Sequence, residues 1–276
     1  MKRRTGLLLV AAVIATAIAV GVQAAGSNST DTLTAAQIAL FTARDADLVA
    51  TAAADPAVDP PPGHLVVKPQ EFDPGKTILV QAEWSGAEGC PNGVSYPVYP
   101  NTSPSATYSD PGCPTGDSRD QQNEGLVLDK MGPTANNASA FAEIKGAKGP
   151  LTELGYDIRK FGTRASPNGS HCGAGAPRFD VYTTAGGFFV GCQSPPPNSE
   201  TDGQAWIRLR WGTAAGVVGY SMTTGLPTTI TGNIEHIFIV FDEGTDTGPD
   251  NFGAAVLDNV DVNGILGGTG PADPEP

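Results

Sequence analysis

The residues best equipped for chemistry are acidic and gather towards the C-terminus. Asp242, Glu243, Asp246 and Asp250 fall in the loop D-E-G-T-D-T-G-P-D-N-F-G, and Asp258 follows in A-A-V-L-D-N-V-D-V-N-G. On strict strand alternation Val256, Asp258, Val260 and Val262 share one face, and Leu257, Asn259, Asp261 and Asn263 share the other. A carboxylate among valines needs a cation or several N–H donors, because an unpaired buried charge is too costly. The loop adds carboxylates, and backbone carbonyls freed by Gly244, Gly248 and Gly253. Calcium takes roughly six to eight such oxygens and tolerates irregular geometry, so these five acids form a candidate structural calcium site. The competing reading has Asp258 accepting N–H bonds from the loop while the other acids stay solvated. An EF-hand is excluded, because the position that needs a glutamate is Gly270.

A second candidate lies in A-W-I-R-L-R-W. Ala205, Ile207, Leu209 and Trp211 point one way, and Trp206, Arg208 and Arg210 the other. An aromatic face for sugar C–H groups beside two arginines that grip carboxylates bidentately makes an exposed glycan-facing patch. The alternative places Trp206 in the core.

Catalytic patterns are missing from the sequence. It has no G-x-S-x-G elbow and no H-E-x-x-H. His64, His171 and His236 stand far apart, and His236 lies in an apolar strand. The run G-A-G-A-P-R lacks the glycine spacing and following helix of a dinucleotide site. The chain reads as non-catalytic.

The elements that must position these groups begin after an export signal. Lys2, Arg3 and Arg4 precede an apolar run from Leu7 to Val20, and Val22 and Ala24 fit a cleavage site, so residues 1–24 read as a signal peptide. Its removal takes away three of 16 basic residues and none of 29 acidic ones, moving the net charge from −13 to −16. Such a surface repels nucleic acid and anionic membranes. An exported chain with four cysteines suggests two disulfides. Of three possible pairings, Cys90 with Cys113 and Cys172 with Cys192 are favoured, since each closes a loop rich in turn residues.

Residues 25–62 read as one helix, Thr34 to Ala53, and a stiff proline-rich linker from Asp55. From residue 63 to 266, short apolar runs alternate with turn signals. Strands are expected near Leu65–Val67, Thr77–Glu83, Gly125–Asp129, Ala140–Ile144, Glu153–Lys160, Arg178–Thr184, Phe188–Cys192, Ala205–Trp211, Val217–Met222, Thr228–Thr231 and from Ile234 to Phe241. The last of these is apolar on both parities, as a strand covered on both faces would be. Residues 267–276 read as a disordered tail.

The pattern predicts an all-β fold, a two-sheet antiparallel β-sandwich preceded by one N-terminal helix. The closing run A-V-L-D-N-V-D-V resembles the last strand of jelly-roll domains among carbohydrate-binding modules and galactose-binding-like domains. That resemblance implies a jelly roll, a structural calcium near Asp258, and a glycan or cell-surface polymer as partner. The blocks His171–Phe179 and Phe241–Asp250 also resemble blocks in secreted prokaryotic proteins of no assigned activity. Two functions follow as expectations: a secreted glycan-binding domain with structural calcium, or a structural or adhesive surface domain without a small-molecule site.

Overall fold

Strand-forming residues between turn signals dominate the computed structural model, which describes Ala39, Thr42 and residues 46–50, 60–90, 123–160, 175–201, 206–246 and 253–268. Residues 1–24, read above as an export signal, and Cys113, Cys172 and Asp250 lie outside those residues. The described part holds fourteen strands: β1 Leu65–Phe72, β2 Val80–Ser85, β3 Gly125–Lys130, β4 Ser139–Lys145, β5 Leu154–Lys160, β6 Arg178–Thr183 and β7 Gly186–Val190. Then come β8 Asn198–Thr201, β9 Trp206–Trp211, β10 Val218–Ser221, β11 Pro227–Thr229, β12 Ile234–Phe241, β13 Ala254–Val262 and β14 Ile265–Gly268. The fold is all-β with one helix. Every strand expected from alternation is present; β8 and β14 are additional.

Hydrogen bonding links the strands into one sheet and not two separate ones, in the order β11-β10-β7-β6-β12-β4-β1-β14-β13-β5-β9-β8, with β2 and β3 branching from β13. The link between β1 and β14 is parallel, so the sheet is mixed. It also curls. Five strands separate β6 from β5, a distance of about 29 Å if flat. Yet the rings of Tyr156 on β5 and Phe179 on β6 lie 5.3 Å apart, and Trp211 on β9 stands 5.7 Å from Phe179. Two halves of the sheet therefore face each other across a shared core, with residues from β1, β3, β4, β5, β6, β9, β12 and β13 in it. Burial, and then the charge of Glu243, push the Tyr156 hydroxyl well above the usual phenol range. It donates to Pro177 O at 2.7 Å.

The tail boundary expected at residue 266 is two residues early. Gly267 and Gly268 pair with Leu65 and Val66. Gly267 carries no side chain because a Cβ would come within 2.9 Å of Val67 and 3.0 Å of Leu65. Val262 pairs with Ile265 across Asn263 and Gly264, both at positive φ. This is the two-residue Asn-Gly hairpin, whose backbone twist suits the flanking strands.

β12 is covered on both faces, as its composition required. Ile237, Ile239 and Phe241 enter the shared core. Phe238 and Val240 point outward and pack with Phe141 of β4 and with Leu48. Ala39, Thr42 and residues 46–50 are helical, so the N-terminal helix falls where it was expected and caps this face.

Candidate functional site

Strict alternation fails in β13. The register against β5 shifts between Asp258 and Asp261, and Asn259 takes φ 47. A bulge of this kind adds one unpaired residue and reverses which face the later side chains occupy. Asparagine tolerates the left-handed region better than most residues. As a result Ala255, Leu257, Val260 and Val262 line the core, while Val256 packs on the opposite face with Cys90 and Trp206. Asp258 therefore does not share a face with Val260 and Val262. The expectation drawn from simple parity is corrected by the bulge.

Asp258 is held by N–H donors. Cys90 N–H donates to one oxygen at 2.6 Å and Asn259 N–H to the other at 2.6 Å. The other described members of the proposed calcium set are also engaged. Asp242 accepts from Arg178 at 2.7 Å, Glu243 from Ala176 N–H at 2.9 Å, and Asp246 from Thr134 N–H and Oγ1 at 2.7 and 2.6 Å. No three His, Cys, Asp or Glu among the described residues are grouped to hold a metal ion. Each of the four described carboxylates thus already accepts from a donor of the chain.

The face that carries Asp258 holds a different constellation. Arg210, Gly155 and Asp261 are successive register partners across β9, β5 and β13. The Arg210 guanidinium lies over Gly155 and reaches Asp261 at 3.6 Å and Asp157 at 3.3 Å, and none of these three side chains is exposed. A Cβ at Gly155 would sit 2.1 Å from Arg210 Cδ, so only glycine leaves that path open. Asp157 also accepts from Asn259 Nδ2 at 2.8 Å, which ties the bulge into the network. Asp261 in turn accepts from Gly264 N–H at 2.7 Å and steadies the hairpin.

Trp206, Arg208 and Arg210 share a face as alternation predicted, but the face is closed. Their exposures are 3%, 5% and 0%, so the exposed patch expected there is absent from this surface. Trp206 packs with Val256 and Cys90, and Arg159 lies 5.8 Å above its ring and pairs with Glu88. No described cysteine is free, and Cys90 and Cys192 are both disulfide-bonded.

The other half of the sheet carries a further buried arginine. Arg178 on β6 donates to Asp180 at 2.9 Å and Asp242 at 2.7 Å, and stands 5.7 Å over the Phe189 ring. Sequence reasoning missed Asp157, Gly155, Asp180 and Arg178. The available signal was the pairing of Y-D-I-R and R-F-D with acid-bearing strands elsewhere, and it needs the register to become specific. Comparison with protein-family models, with curated proteins and with solved structures gives no match.

Proposed function

We propose that the chain is a secreted, non-catalytic β-domain with a structural role outside the cell or at its surface. One observation carries this reading: the side chains with the strongest recognition chemistry on the outer face of β5, β9 and β13 are spent on one another. Arg210 engages Asp157 and Asp261 with no exposure. A guanidinium placed to grip a ligand's carboxylates would instead present its fork to solvent. The compartment follows from the basic, apolar and small-residue succession at the N-terminus. Disulfide-bonded Cys90 and Cys192 suit an oxidising environment. The bridges inferred are Cys90–Cys113 and Cys172–Cys192, and a jelly-roll-like path is inferred for the strands.

The test pairs thermal unfolding with a glycan array, using the wild type and Trp206→Ala. The structural reading expects the variant to melt lower, with the array pattern the same for both proteins. Glycan binding by the wild type that Trp206→Ala abolishes at an unchanged melting temperature overturns the reading and restores the glycan-binding alternative.

A further inference from the structure

Two exposed features stand at opposite ends of β1 and β4. Beyond the end of β1, Asp73 accepts from Thr77 Oγ1 at 2.9 Å and from Ile78 N–H at 2.7 Å. These bonds hold Ile78 at φ 57, a conformation that β-branched residues rarely adopt. Backbone strain of this kind persists only where the surroundings impose it. Ile78 is nevertheless 90% exposed, so the strain secures no packing within the chain. Met131, whose N–H donates to Leu79 O at 2.7 Å, stands beside this loop and is 59% exposed. The loop thus presents an apolar knob. Close to it, Asp129 is raised above the usual carboxylate range by burial and by the charges of Glu71 and Glu83, which marks an acidic surround.

At the start of β1 lies a cavity of ≈ 440 Å³, lined by Pro60, Leu65, Ala147, Lys148, Val262 and Ile265 among others. Its volume falls in the range of ligand-holding pockets. One wall is shaped by Gly146, where a Cβ would lie 2.3 Å from His64 O and 2.5 Å from Pro60. β4 runs antiparallel to β1, with Lys145 opposite Val66 at this end and Ser139 opposite Phe72 at the other. The strands thus separate knob and pocket by about 25 Å.

We propose that Ile78 and Met131 of one copy seat in this pocket of the next copy, with the acidic group around Glu71 and Asp129 facing the exposed Lys148. Knob and pocket are different patches at opposite poles, so the contact is head-to-tail and generates chains of copies or rings rather than a closed two-fold dimer. The area is small, so association is weak. The proposal concerns surfaces other than the arginine network and stands whether or not the structural role above is correct.

Sedimentation velocity on the purified chain, from about 10 µM to about 1 mM, tests it. The weight-average sedimentation coefficient is expected to climb with concentration past the dimer value. Ile78→Gly abolishes the climb and raises the melting temperature of the dilute chain, because glycine takes positive φ freely. Lys148→Glu weakens self-association at least several-fold. When the two variants are mixed, one good knob and one good pocket remain, so the mixture forms 1:1 dimers that grow no further. A wild type that stays monomeric throughout overturns the proposal. So does a wild-type climb that Ile78→Gly leaves intact, or a mixture that remains monomeric.

Discussion

The outer face of β4 and β12 and the outer face of β5, β9 and β13 are both buried, the first under leucine and the second around charge. On the first, Leu48 of the N-terminal helix covers Phe141, Phe238 and Val240. Such contacts are non-directional and survive small shifts of the covering element. On the second, Arg210 must cross Gly155 to reach Asp261, Asp157 must meet both Arg210 and Asn259, and Asn259 must occupy a bulge. Each of those conditions depends on register. The charged face therefore specifies how three strands align, whereas the apolar face specifies only that something covers it.

The strongest way to break the comparison is Arg210→Met. Removing one partner leaves buried carboxylates uncompensated, a loss of about 3–5 kcal/mol. Denaturant titration should show it as a lowered midpoint with an unchanged slope. A double-mutant cycle with Asp261→Asn sharpens the point, with an expected coupling of about 0.5–3 kcal/mol. Additivity of the two changes would mean that the 3.6 Å ion pair contributes nothing beyond proximity.

On the apolar face Leu48→Ala is the matching test. A buried Leu→Ala change costs about 2–5 kcal/mol, and the low end is expected because the helix packs from one side only. Hydrogen exchange should localise the loss to β4 and β12 while β5, β9 and β13 keep their protection. Equal loss of protection in both halves would show the faces to be coupled through the shared core.

The same contrast explains what was legible in the sequence. β12 announces its double burial because all of Ile237–Phe241 is apolar. In β9, alternation placed Trp206, Arg208 and Arg210 on one face correctly but said nothing of what lies above them. The bulge at Asn259 left no signal in the hydrophobic pattern, since Val260 and Val262 read equally well on either face. The hairpin at Asn263–Gly264 did have a signal, the Asn-Gly dipeptide, which the surrounding alternation obscured. The calcium set was read from proximity along the chain alone. Asp242, Glu243, Asp246 and Asp258 are close in sequence, yet each is claimed by a donor from a distant segment: Arg178, Ala176, Thr134 and Cys90.

A smaller effect is expected at the bulge itself. Asn259→Ala keeps the backbone length but loses the side-chain bond to Asp157 and places alanine at φ 47. The cost should be about 1–2 kcal/mol. Asn259→Gly relieves the backbone component and should recover part of that loss, which thermal unfolding of the two variants will separate.

The smallest effects are in the pH profile, and they oppose one another. Asp246 is held below the usual carboxylate range, first by the Thr134 hydroxyl and then, against the opposing effect of burial, by the Thr134 N–H. A group with a depressed folded pKa contributes stability that is present above its unfolded value and lost as pH falls through the folded one. Asp129 behaves in the opposite sense. Burial raises its pKa, as do the charges of Glu71 and Glu83, with the Gln81 N–H opposing them in part. Its ionised form costs stability above the folded pKa, and the cost is relieved as pH falls through that value towards the ordinary carboxylate range. Asp129 sits among like charges, whereas Asp157 and Asp261 sit under an arginine, so removing its charge should help rather than harm. Asp129→Asn is expected to stabilise at pH 7 by about 0.5 kcal/mol, a figure kept small because the group is only half buried and solvent screens it. The gain should shrink towards zero as pH approaches 4, where the wild type takes up the proton itself. Asp246→Asn should destabilise at pH 7 by less than that, because the carboxylate is exposed and solvent screens it more, and the loss should fade at still lower pH. Thermal unfolding of both variants between pH 3 and pH 7 decides it: a gain from Asp129→Asn that grows as pH falls would mean that the carboxylate is stabilised where it stands, and would remove the distinction between paired and crowded acids.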